Sequence, residues 1–224
     1  MPGDAYPWDL VTFDIDGTLT RGHGWEHVAR AFDRLPAYHA TQERFRRQEI
    51  GEDEHLGNLL SLAAGHTVAE LDAVLGATPK IGGIPESLHA LRMSGARVAL
   101  LTHNPPVVCR WYAATFGFED FEGAPGPEAV AGKLPPSGAV RADKVGQLGR
   151  LVRRLSVDPR RTIHIGDSRS DVEVFAHIGG GVALNSPIPA VRQGADLVAD
   201  TDDLRELVPA LARLDPRRGP LLPM

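Results

Sequence analysis

The segment from Asp9 to Thr20 reads Asp-Leu-Val-Thr-Phe-Asp-Ile-Asp-Gly-Thr-Leu-Thr. Its first half is rich in apolar and β-branched residues, which is typical of a short buried strand. The run stops at two acidic residues, Asp14 and Asp16, and Gly17 then permits a tight turn. The segment therefore predicts a buried first strand that carries functional residues at its carboxyl end.

Further apolar runs alternate with helical patterns along the chain. Strands are predicted at 97–102, 162–166, 181–184 and 196–199, and helices at 85–94, 107–116, 143–155 and 172–178. This alternation favours a parallel sheet covered by helices on both faces. We therefore predict an α/β fold with a doubly wound, Rossmann-like parallel sheet. In such sheets, ligands bind beyond the carboxyl ends of the strands.

The stretch 21–79 does not follow this alternation. It contains helical patterns at 25–35, 38–50 and 52–64, and Thr67-Val-Ala-Glu70 has the spacing of a capping box ahead of a fourth helix. An ordinary crossover between parallel strands needs only about a dozen residues. We therefore predict a small α-helical cap domain at 21–79, inserted into a core domain formed by 1–20 and 80–224. The Gly- and Pro-rich stretch 123–138 is expected to be a loop near the site, and the tail from Asp215 to be frayed.

Composition narrows the class of protein. Hydrophobic residues make up 42% and charged residues 24% of the 224 residues, which is usual for a globular protein with its own core. The formal net charge of −5 gives no general attraction to nucleic acid or to an anionic membrane. Cys109 is the one cysteine, so an internal disulfide is excluded, and the first residues lack the pattern of a signal peptide. A cytoplasmic location is expected.

Acidic residues cluster at two predicted strand ends. Asp14 and Asp16 follow the first strand, and the segment Gly166-Asp-Ser-Arg-Ser-Asp171 follows the strand at 162–166. Two carboxylates about 4 Å apart repel each other by about 4 kcal/mol at an effective dielectric constant near 20. A divalent cation removes this repulsion, and ligation by oxygen alone suits Mg²⁺. The cluster therefore predicts a Mg²⁺ site.

Other polar residues would complete a site for phosphoryl transfer, which needs a nucleophile, cations and hydrogen-bond donors. Thr102 and Asn104 end the second predicted strand and can donate hydrogen bonds. Lys144 opens a predicted helix and can add positive charge, although Arg141 is a competing cation. Asp171 could instead cap a helix.

These motifs, in this order, resemble those of haloacid dehalogenase superfamily phosphatases over essentially the whole chain. In that resemblance Asp14 is the nucleophile, and Asp16 is the general acid and base. Thr102 and Lys144 bind the phosphoryl group, and Asp167 and Asp171 hold or support Mg²⁺. The predicted metal-binding residues are therefore Asp14, Asp16, Asp167 and Asp171. The predicted catalytic residues are Asp14, Asp16, Thr102 and Lys144, and the predicted substrate contacts are Gly17, His23, Thr102, Asn104 and Lys144.

The resemblance implies a Mg²⁺-dependent phosphomonoester hydrolase that acts through an aspartyl-phosphate on a small phosphorylated metabolite. Dehalogenases and phosphonate hydrolases of this fold lack an acid at the position of Asp16, so a phosphatase is favoured. The expected partner is a small-molecule phosphomonoester, with no nucleic acid or membrane, in a monomer or homodimer. A sugar phosphomutase of the same fold and a non-catalytic phosphate-binding protein remain alternatives.

Within the superfamily the chain resembles phosphoserine phosphatases, including a cap that corresponds to the C1-type insertion. The likeness is incomplete at the residues expected to hold an amino acid. His23 stands where those enzymes place a cap glutamate, although Glu26 is three residues on, and the segment 52–64 has no arginine. Thr102-His103-Asn104-Pro105 instead resembles the Thr-Asn-Lys-Pro of phosphoglycolate phosphatase-like members. The substrate therefore stays open among small phosphomonoesters, including sugar phosphates, phosphoglycolate and nucleotides.

Overall fold

The computed structural model describes residues 6–217 and 220–224. Six parallel strands form one sheet in the order β3-β2-β1-β4-β5-β6. Their bounds are β1 Leu10–Phe13, β2 Arg97–Leu101, β3 Asp120–Glu122, β4 Thr162–Gly166, β5 Gly180–Leu184 and β6 Leu197–Ala199. The predicted doubly wound α/β fold is confirmed.

Ten α-helices connect or flank these strands in the described ranges. They are α1 Gly24–Ala31, α2 Leu35–Arg46, α3 Glu52–Leu60, α4 Val68–Ala77, α5 Ile84–Met93, α6 Pro106–Phe116, α7 Lys144–Leu155, α8 Arg169–Phe175, α9 Pro189–Gly194 and α10 Val208–Arg213. Among these described helices, none is long and apolar enough to span a membrane.

The sheet is buried on both faces because alternate side chains of a strand point to opposite sides. On β1, Val11 and Phe13 belong to a large apolar cluster that includes Leu88 of α5 and Tyr112 of α6. Leu10, one residue earlier, belongs to a second cluster with side chains of α7 and α8. A continuous apolar run in the sequence is therefore what a strand covered on both faces requires.

The segment 21–79 folds as helices α1 to α4 with a short 3₁₀ turn at Ser61–Ala63. Thr20 and Lys80 form an antiparallel bridge, so the two ends of this segment lie side by side. The predicted capping box is confirmed, because the Glu70 backbone N–H donates to Thr67 Oγ1 and the Thr67 N–H donates to Glu70 Oε2. Trp25 and Leu71 extend the apolar cluster of the sheet into this segment. Its status as a separate domain stays a prediction.

Residues 123–143, called the strap below, run from β3 to α7 and lie against the helical segment. The Ser61 hydroxyl donates to the Ser137 carbonyl at 3.0 Å, and the Leu134 N–H donates to the His66 carbonyl at 2.8 Å. The Gly138 carbonyl lies so close to Gly57 of α3 that a Cβ added at Gly57 would be 2.0 Å from its oxygen. The predicted loop therefore links the sheet to the helical segment through non-covalent contacts, in addition to the chain connections at Thr20 and Lys80.

Some elements differ from the sequence-based expectation. The short β3, α9 and α10 were not predicted, and the helix predicted at 172–178 lies at Arg169–Phe175 instead. The expectation of a frayed tail is wrong for Arg217, whose backbone N–H donates to the Gly179 carbonyl and whose guanidinium pairs with Asp196. These contacts hold Arg217 against the residues that directly precede β5 and β6.

Candidate active site

Three neighbouring strands place the candidate residues at one edge of the sheet. Asp14 directly follows β1, Thr102 directly follows β2, and Asp167 directly follows β4. Phe13 is in register with Leu100 on one side and with Ile165 on the other. The side chains that follow these strands therefore come together, as the parallel arrangement predicts.

Lys144, the first residue of α7, lies between two carboxylates in the interior. Its Nζ is 3.0 Å from Asp14 Oδ2 and 2.5 Å from Asp171 Oδ1, and the residue is only 3% exposed. Burial alone would lower the pKa of this amine, but the charges of Asp14 and Asp171 outweigh burial and raise it. Lys144 is therefore charged at neutral pH. The competing cation Arg141 pairs at the surface with Asp143.

Asp171 has both carboxylate oxygens engaged by the protein. Oδ1 receives Lys144 and lies 2.7 Å from His164 Nε2, while Oδ2 accepts from the Ser168 N–H at 2.8 Å in a capping box that starts α8. Burial opposes its ionisation, but Lys144 and His164 lower its pKa below the ordinary range. His164 is itself held by Thr12, whose Oγ1 is 2.8 Å from Nδ1. Asp171 thus serves both as a helix cap and as the anchor of Lys144.

Asp167 also lies close to Asp14, but fewer hydrogen bonds and positive charges stabilise its ionised form. Its Oδ1 accepts from the Thr18 hydroxyl at 3.1 Å. Burial, followed by the charges of Asp14 and Asp171, raises its pKa to about 8. The tight turn predicted at Gly17 has φ +76°, and a Cβ there would be 2.2 Å from Asp167 Oδ2. The turn therefore requires glycine both for its conformation and for the approach of Asp167.

Asp14, Asp167 and Asp171 form the group that fits a divalent cation, because one oxygen from each lies within 4.8 Å of the others. Burial raises the pKa of Asp14 despite the opposing charge of Lys144. Since the pKa values of Asp14 and Asp167 are both raised, the single ammonium of Lys144 does not balance the cluster. When all three carboxylates are ionised, two negative charges stay unmatched, and an oxygen-only donor set of this charge suits Mg²⁺.

Asp16 has neutral hydrogen-bond donors as its partners. Its Oδ1 accepts from the Gly24 N–H at 2.7 Å, and its Oδ2 accepts from Asn104 Nδ2 at 3.0 Å. The indole of Trp25 donates to Asn104 Oδ1 at 3.0 Å. Gly24 and Trp25 open α1, so the start of the helical segment fixes the position of this carboxylate.

Thr102 and Asn104 occupy the loop between β2 and α6. Thr102 Oγ1 accepts from both the backbone N–H and the side-chain amide of Asn104, each at 3.2 Å. The Thr102 carbonyl accepts from Gln147 Nε2 of α7 at 2.8 Å. Because the amide of Asn104 is already bonded to Asp16, Thr102 and Trp25, its geometry favours a positioning role over the direct substrate contact predicted from sequence.

One cavity of about 1440 Å³ joins the acidic cluster to the helical segment. Asp14, Asp16, Gly17, Thr102, Asn104, Lys144, Asp167 and His23 all line it. The structure therefore brings every predicted site residue except Asp171 to one cavity, and Asp171 lies directly behind Lys144. Their roles stay predictions.

Sequence reasoning missed the contacts of Trp25 and His164. Trp25 is buried and also bonds to Asn104, 79 positions away. His164 is bonded at both ring nitrogens, with Asp171 as one partner. The available signal was the position of His164 in β4, the strand that Asp167 directly follows.

Known proteins similar to this chain include several phosphatases. A phosphoserine phosphatase of Idiomarina loihiensis is 25% identical over 207 residues, which cover 90% of this chain and 93% of that protein. A phosphoglycolate phosphatase of Pseudomonas putida is 27% identical over 239 residues, which cover 94% of this chain and 81% of that protein. Both likenesses expected from the motifs are thus present among relatives.

Solved structures share the fold. A phosphoserine phosphatase determined as an analogue of its phospho-aspartyl intermediate has a TM-score of 0.75 at 19% identity, over 91% of this chain and 98% of that chain. A substrate-bound phosphoserine phosphatase has a TM-score of 0.76 at 17% identity, again over 91% and 98%. The family model for haloacid dehalogenase-like hydrolases matches residues 11–176, which include the motifs at β1, β2, α7 and β4. The chain therefore belongs to the haloacid dehalogenase-like hydrolase family.

Proposed function

We propose that this protein is a Mg²⁺-dependent phosphomonoester hydrolase that acts on a small phosphorylated metabolite through an aspartyl-phosphate on Asp14. One observation carries the proposal: Asp14 lines the cavity between a buried ammonium, Lys144, and a second carboxylate, Asp167. Asp16 lies nearby but is bonded to neutral groups. A nucleophile beside cationic sites and a separate acid are the groups that phosphate ester hydrolysis requires.

Asp14 and Asp167 would hold Mg²⁺ directly, with the main-chain carbonyl of Asp16. Asp171 would support the metal from behind, because its oxygens are bonded to Lys144, His164 and the start of α8. The cation would neutralise the carboxylates and the negative charge of the phosphoryl oxygens.

In the first step, an oxygen of Asp14 attacks phosphorus and the bond to the leaving alcohol oxygen breaks. Asp16 gives its proton to that oxygen, so a neutral alcohol leaves and the aspartyl-phosphate (an acyl phosphate) on Asp14 remains. Lys144 and the Thr102 hydroxyl are placed to donate hydrogen bonds to phosphoryl oxygens. Lys144 is charged for this task because Asp171 keeps its carboxylate beside it.

In the second step, Asp16 takes a proton from a water molecule that attacks the phosphorus of the aspartyl-phosphate. The phosphorus bond to Asp14 breaks, inorganic phosphate leaves, and Asp14 regains its carboxylate. Asp16 is protonated again and ready for the next substrate. General acid and base help of this kind contributes about 10² to 10⁴ in rate.

The test is phosphate release from a panel of phosphomonoesters, with Mg²⁺ and with EDTA, for the wild type and Asp14→Asn. We expect phosphate release that requires Mg²⁺ and is lost in Asp14→Asn, because an amide cannot form the aspartyl-phosphate. Asp33→Asn is a matched control, since Asp33 is exposed, lies outside the cavity lining and has φ 55°, which asparagine tolerates. Full activity of Asp14→Asn, or no release from any ester including p-nitrophenyl phosphate, would contradict the proposal.

A further inference from the structure

The cavity is larger than the phosphoryl group needs. Its volume of about 1440 Å³ exceeds the roughly 300–1,000 Å³ of ordinary small-molecule pockets. The acidic cluster and Thr102 occupy the end at the sheet, and residues of α2 and α3 line the other end. The part between α2 and α3 is therefore where the leaving group of a phosphate ester would lie.

Apolar and aromatic side chains form this distal wall. Ile50, Leu56 and Leu59 line the cavity and are buried. The rings of Phe45 and His55 stack with centroids 4.3 Å apart and planes 5° apart. Phe45 is nevertheless 38% exposed, so part of its ring is available to a ligand in the cavity. Such a surface favours a flat or apolar group.

The arginine that this wall offers already has an acidic partner. Arg46 donates to both oxygens of Glu43, from Nε at 2.8 Å and from Nη2 at 2.7 Å. Glu52 Oε1 lies 3.8 Å from His103 Nδ1, which is too far for a hydrogen bond. A substrate carboxylate would therefore have to compete with Glu43 for Arg46.

Two histidines that line the cavity have a ring nitrogen without a partner. Among the described residues, His23 Nδ1 and His103 Nε2 are buried and have no hydrogen-bond partner. Burial lowers the pKa of His103 and of His55 to about 4, so these two are neutral at pH 7. A buried polar atom without a partner is costly. Rotation of the His23 or His103 ring toward the cavity would let a ligand hydroxyl satisfy its free nitrogen.

Resting on the phosphatase function above, we propose that the physiological leaving group is a bulky, ring-bearing alcohol without a carboxylate. Its ring stacks on Phe45 against the Ile50, Leu56 and Leu59 wall. Its polar substituents lie beside His23 and His103. Phosphorylated amino and hydroxy acids, whose small leaving groups carry a carboxylate, fit this wall poorly.

The test compares kcat/KM, with Mg²⁺, for four esters of aliphatic alcohols: ethyl phosphate, O-phosphoserine, 2-phenylethyl phosphate and uridine 5′-monophosphate. We expect both ring-bearing esters to exceed ethyl phosphate and O-phosphoserine by about tenfold or more, since aromatic stacking and apolar burial add to binding. Phe45→Ser should reduce the ratio between 2-phenylethyl and ethyl phosphate about tenfold. Met93→Ser is the control for loss of an exposed apolar side chain, because Met93 is 75% exposed on α5 and does not line the cavity.

Two results would overturn the inference while leaving the phosphatase function intact. One is equal kcat/KM for all four esters, or a ratio that Phe45→Ser does not change. The other is a preference for O-phosphoserine that Arg169→Gln abolishes, since Arg169 of α8 lines the core side of the cavity and is exposed there to a carboxylate. Absence of Mg²⁺-dependent hydrolysis of all these esters and of p-nitrophenyl phosphate would overturn the proposed function and this inference together.

Discussion

At the scale of single residues, the position of Asp16 depends on neutral partners and not on ions. Asn104 bonds to Asp16 Oδ2 at 3.0 Å, and Trp25 bonds to Asn104 at 3.0 Å. A general acid must lie within hydrogen-bond reach of the leaving oxygen. Under the proposed function, Asn104 and Trp25 would therefore act on the reaction through Asp16, as positioning residues.

Asn104→Ala should lower kcat about 100-fold for ethyl phosphate, a poor leaving group that needs its oxygen protonated, within the usual range for general acid catalysis. It should lower kcat much less for p-nitrophenyl phosphate, whose leaving group departs without protonation. Trp25→Phe keeps an aromatic ring but removes the indole N–H. It should lower kcat in the same pattern, more for ethyl phosphate than for p-nitrophenyl phosphate, but by smaller factors than Asn104→Ala. An equal loss on both substrates would indicate a purely structural role for Asn104.

Asp167 makes the stability of the metal-free protein depend on pH. Burial and the neighbouring carboxylates raise its pKa to about 8 when folded, whereas the unfolded value is about 4. Between these values the folded state binds more protons than the unfolded state, so the free energy of unfolding falls as pH rises. His55 and His103, with folded pKa values of about 4, have the opposite effect, but only up to about pH 6.5.

In EDTA, the free energy of unfolding measured with urea should therefore fall between pH 6.5 and 8 as Asp167 ionises. The slope from this group is at most about 1.4 kcal/mol per pH unit. Asp167→Asn should remove much of that slope, whereas Asp33→Asn should keep it. Parallel pH profiles for wild type and Asp167→Asn would show that Asp167 is already ionised at neutral pH.

The residues that sequence could predict are those that end a strand or begin a helix next to the sheet. Asp14, Thr102, Lys144 and Asp167 have such positions, and the fold itself brings them together. The partners of Asp16 could not be predicted in the same way. Asn104 is 88 positions from Asp16, and its bond depends on the rotamers and orientation of α1, which no local pattern encodes.

At the scale of elements, the strap fixes α3 to the side of the sheet. The Val140 N–H donates to the Asp53 carbonyl at 2.9 Å, and the Ala142 N–H donates to Asp53 Oδ1 at 2.8 Å. Ser61 both donates to and accepts from the backbone of Ser137. These bonds use the backbone of an irregular segment, so the strap is ordered without helix or strand periodicity.

Gly57→Ala should loosen this junction, because its Cβ would lie 2.0 Å from the Gly138 carbonyl oxygen. Overpacking of this kind costs about 1–3 kcal/mol, measured as a loss in the free energy of unfolding with urea. Gly138→Ala is the matched control from the other side of the contact, since a Cβ there meets nothing within 4 Å. Equal stability of Gly57→Ala and wild type would mean that the strap shifts freely and does not hold α3.

The elements that sequence did not predict, β3, α9 and α10, have only three to six residues each. Strand β3 reads Asp-Phe-Glu, and its glutamate, Glu122, pairs with Arg150 and Arg154 of α7. This edge strand is stabilised by ion pairs and by its neighbour β2, and not by an apolar run. The runs and spacing of apolar residues, which identified the central strands, therefore gave no signal for β3.

At the scale of the whole molecule, the strand order places the chemistry at the centre of the sheet. Chain connections run from β1 outward through β2 to β3 on one side and through β4 to β6 on the other. The crevice forms where this direction reverses, beside β1, and ligands of open α/β sheets bind there. The helical segment begins shortly after β1 in the sequence. It therefore covers the same crevice that the residues after β1 line.

The helices of this segment differ in how they pack against the core. Helix α4 buries Leu71 and Leu75 and packs against α6 of the core. Helix α2 also buries two residues, Tyr38 and Thr41, but its main neighbours are α1 and α3 of the same segment. A helix with few apolar contacts to the core has low local stability. Helix α2 is therefore the element whose opening would admit substrate most readily.

We expect amide hydrogen exchange to be faster in α2 than in α4 in the free protein. Addition of Mg²⁺ with beryllium fluoride, which bonds to an aspartate oxygen as a phosphoryl mimic, should slow exchange in α2 and leave α4 nearly unchanged, because closure excludes water from the reacting groups. Asp14→Asn is the control, since it removes the oxygen that the mimic requires. If α2 exchanges equally fast with and without the mimic, then α2 does not close over the phosphoryl mimic, and the expected closure is wrong.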